Sequence, residues 1–302
     1  MVTDAFVQKV LSIQANNVKQ NEPMSAHTTF QIGGPADLLV IPESEDAFSR
    51  LIKLCREEAV PMMVMGAGSN LLVSDKGIDG VVVKLSQAFD FVTISGTEIV
   101  CGAATSLAKL AKHAQRAGLS GLEFASGIPG NVGGAIFMNA GAYGGEMKDV
   151  VTETTYLDEQ GKQKTLCGDC HQFGYRHSAF SDGKKYIVSA KMQLSPKAPA
   201  EILETMRDLN ARRKEKQPLE KPSAGSTFKR PEGYFAGKLI EDAGLKGARV
   251  GGASVSEKHA GFVVNDKGAT CADVIGLIEH VQETVMQKFG VKLEPEVRVI
   301  GR

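Results

Sequence analysis

Ser126-Gly127-Ile128-Pro129-Gly130-Asn131-Val132-Gly133-Gly134-Ala135 is the stretch on which the fold turns, with glycine at four of the eight positions from 127 to 134. Glycine at that density lets successive backbone N–H groups turn toward one concavity, because no Cβ blocks a positive φ or a close approach. Such a concavity suits an anion, typically the phosphates of a nucleotide. The run lacks the Lys-Ser/Thr ending of a Walker loop and is no clean dinucleotide fingerprint. A second run, Gly66-Ala67-Gly68-Ser69-Asn70, follows the short apolar segment 62–65 and adds a hydroxyl and an amide to its backbone donors. Alone, this second run also reads as a structural turn. Together the two runs can hold the two phosphates of one pyrophosphate with neutral donors, without Lys or Arg.

The rest of the chain bounds this reading. Its 302 residues, 42% of them hydrophobic, predict two or three domains with sizeable cores. The formal net charge of +0, from 35 basic and 35 acidic residues, argues against a nucleic-acid binder held by a global basic field. No apolar run reaches the ~20 residues that span a bilayer. The N-terminus carries Asp4 and no basic region before an apolar one, so no signal peptide and no membrane partner are expected. A cytoplasmic enzyme is the default class. Cys167-Gly168-Asp169-Cys170-His171 matches the C-x-x-C-H haem-attachment pattern. That attachment normally follows export, and a zinc site needs more ligands than this segment offers. It reads instead as a polar loop with incidental thiols, and no metal is expected.

Helices and strands alternate. Residues 44–59 predict a helix with Ala47, Leu51 and Leu54 on one face, Ser44 as N-cap and Pro61 beyond its end. Segments 62–65 (read as buried) and 81–83 predict strands, and 106–117 a helix closed by Gly118. A hairpin is expected from 150–157 and 162–166 around Asp158-Glu159-Gln160-Gly161, then a strand at 187–194. Ser195-Pro196-Lys197-Ala198-Pro199 reads as a connection between domains. Beyond it come a basic-ended helix at 200–216, a helix at 235–243, a strand at 262–264, a helix at 271–289 and a final strand at 291–300.

These runs, with their neighbours, resemble the UDP-N-acetylenolpyruvoylglucosamine reductase (MurB) family. The likeness lies in Met65-Gly66-Ala67-Gly68-Ser69-Asn70-Leu71-Leu72-Val73, in the run from Gly127, and in Asn139-Ala140-Gly141-Ala142-Tyr143-Gly144. It continues through Tyr175-Arg176-His177-Ser178, Gly225-Ser226-Thr227-Phe228-Lys229, His259-Ala260-Gly261-Phe262 and Glu296-Val297-Arg298, so it covers nearly the whole chain. The resemblance implies a mixed α+β chain: a vanillyl-alcohol-oxidase-like (PCMH-type) fold binding FAD noncovalently, and a smaller C-terminal α+β domain for a UDP-sugar. It divides the chain into an N-terminal helical segment at 1–22, an FAD domain at 23–198 with subdomains at 23–85 and 86–198, and a substrate domain at 199–302. It also implies NADPH as reductant, UDP-N-acetylglucosamine enolpyruvate as substrate, a role in peptidoglycan precursor synthesis, and a monomer or weak oligomer.

Residue by residue, the resemblance implies that Gly66, Ala67, Gly68, Ser69, Asn70, Leu71, Ser126, Gly127, Ile128, Pro129, Gly130, Val132, Gly133, Gly134 and Ala135 bind the cofactor. Ser226 matches the proton donor; alone it is an ordinary turn residue, and a free hydroxyl needs neighbouring charge, such as Lys229 or Arg213, to act as an acid. Arg176 matches a position that can fork onto the substrate carboxylate, although a lone Arg is commonly a solvated surface residue. Glu296 matches the third catalytic position, where an anion must be protonated or shared with a cation such as Arg298. Arg213, Lys216, Gln217, Lys229 and Arg298 are expected at the substrate, and His27 and Thr28 lie in a segment near the flavin. Two departures stand out. Arg230 occupies a position where many members have Asn. The interval from Arg176 to Ser226 is short, so the chain looks like the branch without a lid tyrosine. Another oxidase of the same flavin-fold superfamily, or a non-catalytic nucleotide-binding module, remains an alternative.

Overall fold

The computed structural model describes residues 2–302, which form two compact units. Unit 1 comprises the chain through Gln20, Leu38–Ala67 and Gly80–Arg212; unit 2 comprises Asn21–Asp37, Gly68–Asp79 and Arg213–Arg302.

Unit 1 is built on a five-stranded antiparallel sheet in the order Gln163–Cys167, Val151–Leu157, Tyr186–Gln193, Glu98–Gly102, Val92–Ser95. The first two strands are the expected hairpin. Asp158 closes it, its carboxylate accepting the N–H groups of Gln160 and Lys162, both at 2.9 Å. A four-stranded sheet runs Val18–Pro23, Pro35–Val40, Ile78–Lys84, Met62–Met65, the last two parallel. Helices α1 (Asp4–Ile13), α2 (Glu45–Glu57), α3 (Leu107–Arg116), α4 (Val132–Phe137) and α5 (Pro199–Lys216) accompany them. Each of α2 and α3 starts where a serine hydroxyl accepts an unpaired N–H of the first turn, Ser44 from Ala47 at 3.1 Å and Ser106 from Lys109 at 3.2 Å. Their apolar positions at helical spacing then enter one core: Phe48, Leu51, Ile52 and Cys55 from α2, Leu107, Leu110 and Ala114 from α3.

Unit 2 has its own core. Helices α6 (Ala236–Asp242) and α7 (Cys271–Phe289) supply Leu239, Ile240, Val274, Leu277, Val281 and Val285 to it. Phe30, Ile32 and Leu72 belong to the same core, although they come from the first quarter of the sequence. A three-stranded antiparallel sheet, Arg249–Val250, Ala253–Val255, Val263–Asn265, and a parallel pair, Leu71–Val73 with Arg298–Ile300, complete the unit.

Four expectations need correction. The segment 1–22 is helical only over Asp4–Ile13 and continues as the strand Val18–Pro23. Met62–Met65 is a strand, but only Met65 is buried. The final strand shrinks from 291–300 to Arg298–Ile300, because Pro295 has no N–H to give a ladder. The stretch 195–199 is not a free connection: Ser195 and Pro196 pair with Ser120 and Leu119, and the chain leaves unit 1 only after Arg212, inside α5.

Candidate functional site

In unit 1 the start of the first glycine run, Gly66 and Ala67, meets the second. The position a Cβ would take on Gly66 lies 3.3 Å from Asn131 Cβ, so glycine at 66 is what lets the strand end Met62–Met65 approach the second run. Gly66, Ala67 and Asn131 line a cavity of about 230 Å3 with Lys84, Ser86 and Asp90. Lys84 brings a cationic side chain to this wall, while the Asp90 carboxylate in it is drawn to Lys109 at 2.9 Å, and a cationic group there favours an anionic occupant.

The 126–135 run achieves this differently from the expectation. The positive-φ glycines among the described residues include Gly68, at +64°, but none of Gly127, Gly130, Gly133 and Gly134. Close approach, not left-handed backbone, is what their missing side chains permit. Gly133 packs against Ala103, whose Cβ would be 3.1 Å from an added Cβ, whereas an added Cβ on Gly134 would meet nothing within 4 Å. The amides of Val132 and Gly133 are not turned to a ligand: they donate to Thr105 O and Ala103 O, both at 2.9 Å. Ile128 N–H is likewise used, on Ala125 O, and Gly130 O accepts from Leu107 N–H. Ser126 Oγ donates to Glu123 O at 2.8 Å and accepts from Asn210 Nδ2 at 3.1 Å, joining the loop to α5. Much of the run is thus stitched to the corner at 103–107, which makes it a rigid wall with Gly134 as its open face. Asn131, absent from the expected set, is the residue that joins both runs; its place between two expected loop residues was the available signal.

Arg176 tops a tight turn in unit 1, with Gly174 and His177 exchanging backbone hydrogen bonds at 3.0 and 3.2 Å. Its φ is +54°. Its guanidinium lies 5.2 Å from the Tyr175 ring centroid, a cation–π distance. The Glu146 carboxyl is held below its usual range, first by the hydrogen bond from Lys148, and also by Asn139 and the Arg176 charge. A wider hollow of about 420 Å3 opens beside Cys170, His177, Asp182 and Lys185, and no expected site residue lines it. The C-x-x-C-H segment holds no binding constellation. Cys167 and Cys170 are exposed, while the fully buried His171 bonds Gly168 O at 2.8 Å and Thr154 Oγ1 at 2.9 Å, and burial lowers its pKa.

In unit 2, Ser226 and Glu296 lie on two neighbouring segments. Glu296 N–H donates to Thr227 O at 2.8 Å and Lys229 N–H to Glu294 O at 2.8 Å, with a bridge between Phe228 and Pro295. Thr227 is buried, its N–H on Gly261 O at 2.8 Å and its Oγ1 accepting Val263 N–H at 2.9 Å; the exposed Ser226 therefore sits on a fixed frame. Asn70 ties the first glycine run to the same place: its Nδ2 donates to Glu296 O at 3.2 Å, and its O accepts Arg298 N–H at 3.0 Å. Gly68 O accepts Thr29 N–H at 3.3 Å, and Leu71 opens the strand beside Arg298. Lys229, expected to assist Ser226, pairs with Glu294 at 3.3 Å. Arg213 lies in the last turn of α5, its carbonyl accepting Gln217 N–H at 2.9 Å, and Lys216 ends that helix. Among the described residues, Gln217 Oε1 is the one buried side-chain oxygen without a partner, so it offers an acceptor to a ligand N–H. His27 bonds Glu22 at 2.8 Å and Thr28 Oγ1 donates to Ile32 O at 3.2 Å. Arg230 stacks 4.0 Å from the Phe235 ring centroid.

Two stretches of the chain match known family models. Residues 36–166 match the family model of an FAD binding domain, and residues 217–300 that of the C-terminal domain of UDP-N-acetylenolpyruvoylglucosamine reductase. The chain is 53% identical over 281 residues to the UDP-N-acetylenolpyruvoylglucosamine reductase of Caldanaerobacter subterraneus subsp. tengcongensis, with 93% of each chain covered. It is 54% identical over 294 residues to that of Agathobacter rectalis, again with 93% of each covered. The crystal structure of the Thermus caldophilus reductase superposes with a TM-score of 0.81 at 38% identity, covering 92% of this chain and 97% of that one. Phl p 4.0202, a glucose dehydrogenase, shares the fold alone, with a TM-score of 0.52 at 17% identity over 65% of this chain and 45% of that one.

Proposed function

The chain belongs to the UDP-N-acetylenolpyruvoylglucosamine reductase family, and from that premise we propose that it converts UDP-N-acetylglucosamine enolpyruvate to UDP-N-acetylmuramate in cytoplasmic peptidoglycan precursor synthesis, with NADPH as reductant. It is an FAD-dependent reductase of mixed α+β fold, with a PCMH-type flavin domain and a C-terminal family domain. The residues present fit the cofactor: the close approach of Gly66 to Asn131 and Lys84 in the cavity wall make a narrow cradle for an anion, which a side chain at Gly66 would narrow further. Gly66, Ala67, Gly68, Ser69, Asn70, Leu71 and the 126–135 run are the residues we assign to it. Bound FAD supplies hydride transfer between the nicotinamide donor and the enolpyruvyl double bond.

The chain's own residues handle the charge and the proton. Hydride arriving at the terminal alkene carbon leaves negative charge on the adjacent carbon and its carboxylate. Arg176, with a planar fork, meets that carboxylate and holds the growing charge. Ser226 delivers its hydroxyl proton to the adjacent carbon, and Glu296 polarises the enolpyruvyl group beside it. Arg213, Lys216 and Arg298 supply cations for the diphosphate, and Gln217 Oε1 accepts from a substrate N–H. Lys229 is shared with Glu294, which reduces what it can give Ser226. The observation that carries the assignment is the framing of Ser226 and Glu296 by the bonds between Thr227 and Glu296 and between Lys229 and Glu294. We further read the chain as a member of the branch without a lid tyrosine, acting as a monomer or weak oligomer with no nucleic-acid or membrane partner.

Ser226→Ala tests the proton donor. Flavin reduction by NADPH is expected at the parental rate, and reoxidation by the enolpyruvyl sugar ~10⁴-fold slower, the upper end of what a positioned general acid supplies. Equal losses in both half-reactions would remove Ser226 from that role.

A further inference from the structure

Non-glycine residues rarely adopt positive φ, and among the described residues eight do so. Four of them, Asn139, Tyr143, Gln172 and Arg176, lie within the interval 139–176 of unit 1. Sparsely populated backbone persists where surrounding structure over-determines it, and such positions gather at working sites. Arg176 occupies the third position of the turn 174–177, at φ +54°. That is the position where a type II turn favours glycine. The turn keeps an arginine there against local preference, so something outside the turn must hold it.

Two anchors do so, and both come from the chain leaving α4. Asn139 is 1% exposed, and its Nδ2 donates to Gly174 O at 3.0 Å and to Glu146 Oε2 at 2.9 Å. Its Oδ1 accepts Lys148 N–H at 2.9 Å, so both amide N–H donors and the carbonyl oxygen are engaged. At the other end of the turn, Ser178, also 1% exposed, donates from Oγ to Phe137 O at 2.8 Å. The Glu146 carboxylate that Asn139 grips also attracts Arg176.

We propose that Asn139 is a positioning residue that fixes the Arg176 turn to the exit of α4, and so sets where the guanidinium meets the substrate carboxylate. The proposal rests on the assignment of Arg176 made above. It links the glycine run that opens α4 to the arginine: one short helix carries the cradle wall at its start and the arginine's anchors at its end. A displaced guanidinium keeps its charge and loses alignment, and misplacement by about 1 Å costs on the order of 10²-fold in rate.

The test uses full-length FAD-loaded enzyme and four variants: Asn139→Ala, the near-isosteric Asn139→Asp, Arg176→Ala, and Asn139→Ala with Arg176→Ala. Each is reduced with NADPH and then mixed with the enolpyruvyl sugar. The single Asn139 variants should keep FAD absorbance and the reductive rate, and reoxidise about 10- to 100-fold slower. The double variant should be no slower than Arg176→Ala, since a residue acting through another adds nothing once that one is gone. Amide exchange should rise at Arg176 and His177 in Asn139→Asp without rising across the core of unit 1, as general destabilisation would cause. Parental reoxidation in both Asn139 variants with a crippled Arg176→Ala overturns the positioning role alone, and so does a loss that adds in full to that of Arg176→Ala. Parental reoxidation in Arg176→Ala overturns the assignment of the arginine itself, and the positioning role falls with it.

Discussion

A lysine at 176 would keep the positive charge and lose the fork. Guanidinium presents planar paired donors to a carboxylate, while ammonium is a compact point charge on a flexible stem. Arg176→Lys should therefore slow reoxidation by the enolpyruvyl sugar by about 10²-fold, equivalent to about 2.7 kcal/mol of barrier. Stopped-flow absorbance of the reduced enzyme checks it, and a near-parental rate would take Arg176 out of the site. The candidacy of this arginine rests on its sequence neighbours, Tyr175 and His177-Ser178. Its backbone was not, because local preference argues against an arginine at positive φ, and the anchors that hold it come from residues 137 and 139. Local rules fail most often where function overrides them. The partners of polar side chains were equally hidden. Lys229 joins Glu294, His171 is bonded to Thr154 within the core, and Arg230 stacks on Phe235, contacts that depend on which segments become neighbours.

Helix α7 shows what an element needs beyond its own sequence. Its length was readable because Val274, Leu277, Ile278, Val281 and Val285 recur at helical spacing, and Thr270 with Asp273 forms a capping box. Two of its first amides are satisfied from far away. Asp75 accepts Cys271 N–H at 2.8 Å and Ala272 N–H at 3.0 Å, and its negative charge suits the positive end of the helix dipole. Asp75→Ala should cost about 1–2 kcal/mol, in the range of a lost cap, while Asp75→Asn, which retains one acceptor oxygen, should cost less. Thermal melts of the two variants decide it, and equal melting points for Ala and parent would show the cap to be idle. Strands were harder to read than helices. The run Val291–Leu293 looks like the start of a strand, but Pro295 leaves only scattered bonds to Lys229 and Thr227 before Arg298.

At the scale of the whole molecule, neither unit is a continuous piece of chain. Composition marks Ser195–Pro196 as a break, because prolines and small residues cluster there, but nothing in composition marks 21–37 or 68–79 as belonging with residues after 212. That membership is written only in tertiary contacts. The strand Arg298–Ile300 has Leu71–Val73 as its parallel partner. Thr29 Oγ1 donates to Ser223 O at 2.7 Å, and Asn265 Nδ2 to Phe30 O at 3.2 Å. Arg302 is bound by Asp79 at 2.5 Å and by Asp37. Phe30, Ile32 and Leu72 are buried to 1%, 2% and 0% exposure in the unit 2 core. Emptying one such large apolar site costs about 2–5 kcal/mol, and three together approach the whole stability of a domain of this size, about 5–15 kcal/mol. A fragment of residues 199–302 should therefore fail to reach a cooperative fold, although it contains the matched C-terminal family domain at 217–300. Circular dichroism melts and amide dispersion in a proton–nitrogen spectrum read this directly. A sharp melt with dispersed amides would show that the two early segments are dispensable. Adding back a peptide of residues 68–79 should restore part of the helix signal, because it returns both the partner of the last strand and the Asp75 cap of α7.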